Sequence, residues 1–206
     1  MSMIKAHDCF TLFQKCIADY HIHDDVDHPL ENPYTSGGLD NLLYQKNWID
    51  NVQWHLEDII RLPSLEPNKG LLIKRRIDQS NQDRTDTVEQ IDDIFVGFFK
   101  SVKPEKGCRL NSETPAWLLD RMSILSLKIF HMQEQVDRKE VLNDHLLKCQ
   151  QKLSILLEQR RDMEQAFDEL LEDIREGKRI FKVYRQMKMY NDASLNPMLY
   201  QTLSKK

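Results

Sequence analysis

The sequence predicts an all-α protein: an antiparallel helical bundle of four or more long helices with an extended C-terminal tail. Three observations predict it. Apolar residues recur at three- and four-residue steps over long stretches, and no segment alternates with the period of two that marks a strand. Only six glycines occur in 206 residues, and few fall inside the periodic segments. The breakers instead gather between those segments, as in "LPSLEP" and "KPEKGCRLNSE".

The first helix spans about 4–20, with Phe10, Phe13, Ile17 and Tyr20 on one side. Residues 21–38, HIHDDVDHPLENPYTSGG, are rich in turn formers. They read as a loop or lid, long for a compact domain and so a functional candidate. A second helix covers about 39–61 and a third about 70–102. "NSETPAW" opens the fourth, with Ser112 or Thr114 as cap and Pro115 in the first turn, and it continues to about 138. The fifth, roughly 140–176, carries a heptad seam: Leu142, Leu146, Cys149, Leu153, Leu156, Arg160, Met163, Phe167, Leu170 and Ile174. Gly177 stops it. A shorter sixth helix is expected over 178–190, with 191–206 as the tail. The whole chain, 1–206, reads as a single helical domain.

Composition narrows the function. Hydrophobic residues make up 40% and charged residues 30%, the balance of a soluble globular chain. A net charge of −4 argues against a nucleic-acid or anionic-membrane binder. Neither GxGxxG nor GxxxxGK[ST] is present, so no glycine-rich phosphate loop is expected. Cys9, Cys16, Cys108 and Cys149 form no CxxC pair and read as free thiols of a reducing cytoplasm. No signal peptide and no apolar run of membrane-spanning length is visible, so the expected localisation is cytoplasmic. No metal site and no cofactor is predicted.

The informative signals are polar residues where apolar ones belong. In "KRRIDQSNQDRTDTVEQIDD" and beyond it, the stripe Ile73, Ile77, Val88, Ile91, Phe95, Phe98 is interrupted by Ser80, Asn81 and Arg84. Burying such groups without partners costs about 2–7 kcal/mol each. Other helices must therefore supply partners, or the face opens on a cavity, unless the helix turns these residues to water. Arg160 interrupts the heptad seam, either fixing register or waiting for a carboxylate or phosphate fork. Arg121, Ile124, Lys128 and His131 form a row beside the apolar face of the fourth helix, which a solvated flank with snorkelling stems would also explain. His55 and Asp58 stand one turn apart. They could orient an acid/base histidine or supply two metal ligands, though a hydrogen-bonded structural pair is the commoner case. No ExxH pair is present, which argues against a di-iron site. His21, His23, Asp24, Asp25, Asp27 and His28 are metal-friendly types, but their spacing matches no defined site and a solvated loop is expected. Residues 178–190 interleave Lys178, Arg179, Lys182, Arg185 and Lys188 with Phe181, Tyr184 and Tyr190. In an acidic protein this reads as a docked aromatic side with solvated cations, with RNA binding through this segment as a third, fainter reading.

The stretches "NWIDNVQWHLEDIIR", "KRRIDQSNQDRTDTVEQID", "NSETPAWLLDRMSILSLKIFHM" and "YRQMKMYNDASLNP" resemble a bacterial family catalogued as domain of unknown function 4254. The resemblance runs from about residue 39 onward. It implies a bacterial protein of the Bacteroides group, encoded near glycosyltransferases of surface-polysaccharide assembly. It implies no activity, and no catalytic residue is carried over.

Together these readings give a cytoplasmic helical protein with a polar, cation-lined central pocket for an anionic metabolite. Arg84, Arg121, Lys128 and Arg160 would hold the anion by charge-assisted forks, and Asn81 would orient it. His55 and Asp58 are the acid/base candidates. The alternative is a non-catalytic interaction or scaffold protein that pairs through the 140–176 seam with a second copy or a glycosyltransferase.

Overall fold

The computed structural model describes residues 4–187, 189 and 192–203. Five long helices dominate: α1 Ala6–Tyr20, α2 Leu39–Ile59, α3 Pro67–Phe99, α4 Pro115–Asp137 and α5 Asn143–Arg175. The all-α class and every long helix stand as expected, with ends shifted by a few residues. The caps explain two of the shifts. Glu66 accepts from the backbone N–H groups of Asn68 and Lys69, and Pro67 begins α3. Thr114, not Ser112, accepts from the Trp117 N–H, with Pro115 in the first turn of α4.

Helices adjacent in sequence pack antiparallel, with one exception. Gln53 of α2 meets Ser80 and Asn81 of α3, while Leu56 meets Ile73 and Ile77 further back along it. Ala6 at the start of α1 donates to Asp168 of α5, and Arg160, earlier in α5, lies over Phe10. But Asp19 reaches Tyr44 and His21 reaches His55, so α1 and α2 run parallel. Lys46 to Asp120 and Trp54 to His131 make α2 and α4 parallel as well. Residues 21–38 are thus a crossover that returns the chain to start α2 in the direction of α1. Bundles with parallel neighbours require such a long connection.

The main core joins α1, α2, α4 and α5 with the C-terminal half of α3. Phe10, Phe13, Tyr20, Tyr44, Trp48, Phe95 and Phe167 are its buried aromatic members. A smaller cluster, Leu56, Ile73 and Ile77, lies between α2 and α3. The heptad seam of α5 is spent inside the chain: Cys149, Leu153, Met163, Phe167, Leu170 and Ile174 are all buried.

Past α5, residues 178–187 of the expected 178–190 helix are not helical. Gly177 adopts φ +77°, and a Cβ there would lie 2.6 Å from the Lys103 carbonyl oxygen. This left-handed turn, available to glycine, redirects the chain. Two residues, Arg179–Ile180 (β2), then pair in parallel with Arg109–Leu110 (β1). Residues 181–187 run on without helix. Phe181 packs on Phe99, and Arg185 pairs with Glu89 and Asp93, so the segment straps α3. Lys188 and Tyr190 lie outside the described residues. The tail is not wholly extended either, because Pro197–Leu203 form a short helix, α6.

Candidate functional site

The third helix does turn its polar stripe inward, and neighbouring helices supply partners. The Gln53 side-chain amide donates to Asn81 Oδ1 (3.0 Å), and the Ser80 hydroxyl donates to Gln53 Oε1 (3.3 Å). Asn81 also donates to the Ile77 carbonyl. Arg84 makes a two-pronged contact with Asp120 of α4, Nε to Oδ1 at 2.7 Å and Nη2 to Oδ2 at 2.5 Å. Its fork is therefore filled by a carboxylate of the same chain.

Asp120 belongs to a network that is buried apart from the partly exposed Arg84. Lys46 of α2 is 1% exposed, and its Nζ lies 2.5 Å from Asp50 Oδ2 and 2.9 Å from Asp120 Oδ1. The Ser123 hydroxyl donates to Asp50 (2.6 Å) and accepts from Asn47 (2.8 Å). Two cations face two carboxylates, so the layer is charge-balanced. The two acids are not equivalent. Burial pushes the Asp50 carboxyl up, against the pull of Lys46. Burial also works to raise Asp120, but Lys46 and the Arg84 fork outweigh it and hold the carboxyl below its usual range. Asp120 is the firmly ionised member. The Arg84 guanidinium is correspondingly raised by its bond to Asp120.

Sequence reasoning missed Lys46, Asn47, Asp50 and Asn51, all buried. They follow Leu43 at steps of three, four, seven and eight, on the helical core stripe. The signal that exposed Arg84 on α3 was equally present on α2.

The other candidates separate. Arg121 is exposed and pairs with Glu113 (3.0 Å). Arg160 bonds Glu164 one turn on (2.9 Å) and rests its guanidinium 4.6 Å above the Phe10 ring. These two do not meet Arg84 at a common centre, because each is satisfied on its own face. Lys128 is exposed and stands in the wall of a cavity of about 550 Å³ between α2, α4 and α5. Trp54, Asp58, His131, Lys152 and Leu156 share that wall. A second cavity, about 300 Å³, lies over the polar layer and includes Asp50, Arg61 and Arg84. Trp54 and Asp58 line both cavities.

His55 does not lean on Asp58 for a hydrogen bond. Its Nε2 lies 3.3 Å from His21 Nε2, at the end of α1, and 3.7 Å from Asp24 Oδ1. His131 of α4 completes a three-histidine cluster in which one nitrogen from each ring lies within 4.8 Å of the others. Aromatic rings hold the imidazoles. Trp54 stacks on His131 (4.6 Å, 12°), Tyr20 stacks on His55 (5.2 Å, 16°), and Phe130 lies 4.4 Å from His21. Burial lowers the His55 pKa. His21 and His131 add to that, and Asp24 and Asp58 oppose it, so the neutral ring is favoured. Among the described residues, these three histidines are the group able to hold a metal ion. Of the metal-friendly run 21–28, His21 enters the cluster directly, whereas His23 and His28 stack on each other.

No helix among the described residues is long and apolar enough to cross a membrane. No curated protein and no solved structure matches the chain. The model of a family described as "Protein of unknown function (DUF4254)" matches residues 40–183, a span holding the polar layer, both cavities, His55 and His131, and the chain belongs to that family.

Proposed function

We propose that the chain binds an anionic small metabolite in the cleft between α2, α4 and α5, within the cytoplasm and in the setting of surface-glycan assembly. One observation carries the reading. Lys128 and Lys152 face a largely apolar cavity of about 550 Å³, and among the described residues neither makes an ion pair. The volume suits a small-molecule ligand. Arg84, Arg121 and Arg160 already have carboxylate partners, so the two lysines are the cations with capacity to spare. Trp54 and Leu156 offer apolar walls to the body of the ligand, and Asp58 is the group placed to exchange a proton with it.

A thermal-unfolding panel of phosphorylated sugars, nucleotide sugars and dicarboxylates at low salt tests this. A true ligand at 100 times its Kd stabilises the folded state by about 2.7 kcal/mol. Lys128→Ala and Lys152→Ala should each erase most of that gain, while Arg121→Ala leaves it. If no compound shifts the transition, the interaction-protein reading gains. That second reading has its own observation: Leu147, Ile155 and Leu157 of α5 are exposed, outside the buried seam. Sedimentation that changes with protein concentration would favour it.

A further inference from the structure

We propose that His21, His55 and His131 bind one divalent transition-metal ion, with zinc the fitting choice. The argument begins with the protons. His21 Nδ1 lies 2.7 Å from the Ile17 carbonyl oxygen, which can only accept, so Nδ1 carries the hydrogen and Nε2 keeps its lone pair. His131 Nδ1 lies 2.8 Å from Glu134 Oε2, which assigns the same tautomer. Metal-binding histidines nearly always tie their second nitrogen to a carbonyl or carboxylate in this way, which orients the ring and raises its basicity.

One spacing already matches, and the His131 nitrogen lies within 4.8 Å of the other two. A tetrahedral zinc ion with bonds of about 2.0–2.1 Å holds its ligand nitrogens about 3.3–3.4 Å apart. His21 Nε2 and His55 Nε2 are 3.3 Å apart. Asp24 Oδ1, 3.7 Å from His55 Nε2, is placed to take the fourth position or to yield it to water. A purely structural cluster explains less. One N–H···N bond can join His55 to His21, but it does nothing for His131, whose Nε2 is buried without a hydrogen-bond partner among the described residues. Leaving a buried ring nitrogen unsatisfied is costly, and a shared cation satisfies all three rings at once.

Metal uptake is measured without any organic ligand, so its outcome is independent of the cleft reading. Chelator-treated full-length protein is titrated calorimetrically with Zn²⁺ at neutral pH, and in parallel with Co²⁺ while visible absorption is recorded. The expected result is one ion per chain and the d–d bands of four-coordinate cobalt. His55→Ala and His131→Ala should weaken binding more than 100-fold, and His7→Ala, an exposed histidine elsewhere, should leave it intact. Should those alanine variants misfold by circular dichroism, Glu134→Gln serves in their place. Glu134 touches only the far side of His131, and its loss should weaken metal binding 10–100-fold. Absence of uptake by the wild-type protein overturns the proposal. So does uptake that Glu134→Gln and the histidine variants leave unchanged.

Discussion

Asp92 on α3 is 1% exposed, and its Oδ1 has no hydrogen-bond partner among the described residues. Burial pushes its carboxyl up to about 6. Thr114 and Arg185 pull it down, and Asp93 and Glu89 add to the rise. The folded carboxyl therefore binds a proton more tightly than the unfolded one, whose reference value is 3.8. Between about pH 4 and 6 the folded state holds the extra proton, so this group's contribution to stability falls as pH rises and stays lost above 6. Asp92→Asn should stabilise the protein at pH 7.5 by on the order of 1–3 kcal/mol, and the gain should shrink at pH 5. Urea unfolding at both pH values measures it. Arg160 predicts the opposite kind of result. Its bond to Glu164 is partly solvated, and the pairing with Phe10 is worth about 0.5–2 kcal/mol. Leucine restores an apolar seam, so Arg160→Leu should change stability by no more than about 1 kcal/mol, read from the same unfolding curves.

At the scale of elements, α2, α3 and α4 are locked by the charged layer. Removing one member strands the others: Asp120→Asn leaves Lys46 and Arg84 short of an anion, and should cost roughly 3–5 kcal/mol in denaturant unfolding. A loss under 1 kcal/mol would mean the layer readily rearranges or admits water. How much of this was legible follows from the same helices. On α3 a single stripe runs its whole length, so Arg84 stood out. On α2 the apolar residues Leu42, Leu43, Trp48, Val52, Trp54 and Leu56 spread around the helix, which blurs its phase and hid Lys46 and Asp50. The three histidines stood out singly, but their meeting was not legible. Its members come from α2, from α4 and from the residue after α1, and only the parallel packing of those helices brings the rings together. The 178–190 segment misled for a local reason. Its basic–aromatic pattern suits a helix, yet the turn at Gly177 and the pairing with β1 outweigh propensity.

For the whole molecule, stability should be graded. The buried stretches of α2 and α4 carry the polar layer and contact most of the bundle, whereas α6 lies in a largely exposed segment. Native-state hydrogen exchange should find the slowest amides within α2 and α4 and the fastest within α6. Comparable protection in α6 would show that the tail docks more firmly than its exposure indicates.

The hydrogen bond of longest range among the described residues also sets an order of events during synthesis. The Ala6 N–H donates to Asp168, 162 residues further on. A ribosome adding about 5–20 residues per second makes that partner roughly ten to thirty seconds after α1 emerges. Through that interval Phe10 lacks the arginine that will cover its ring. The nascent chain therefore carries an amphipathic α1 that can rest on α2 as soon as the crossover is complete, but cannot close its outer side until α5 is made. Until then that apolar face, rather than any part of the finished fold, is open to a chaperone.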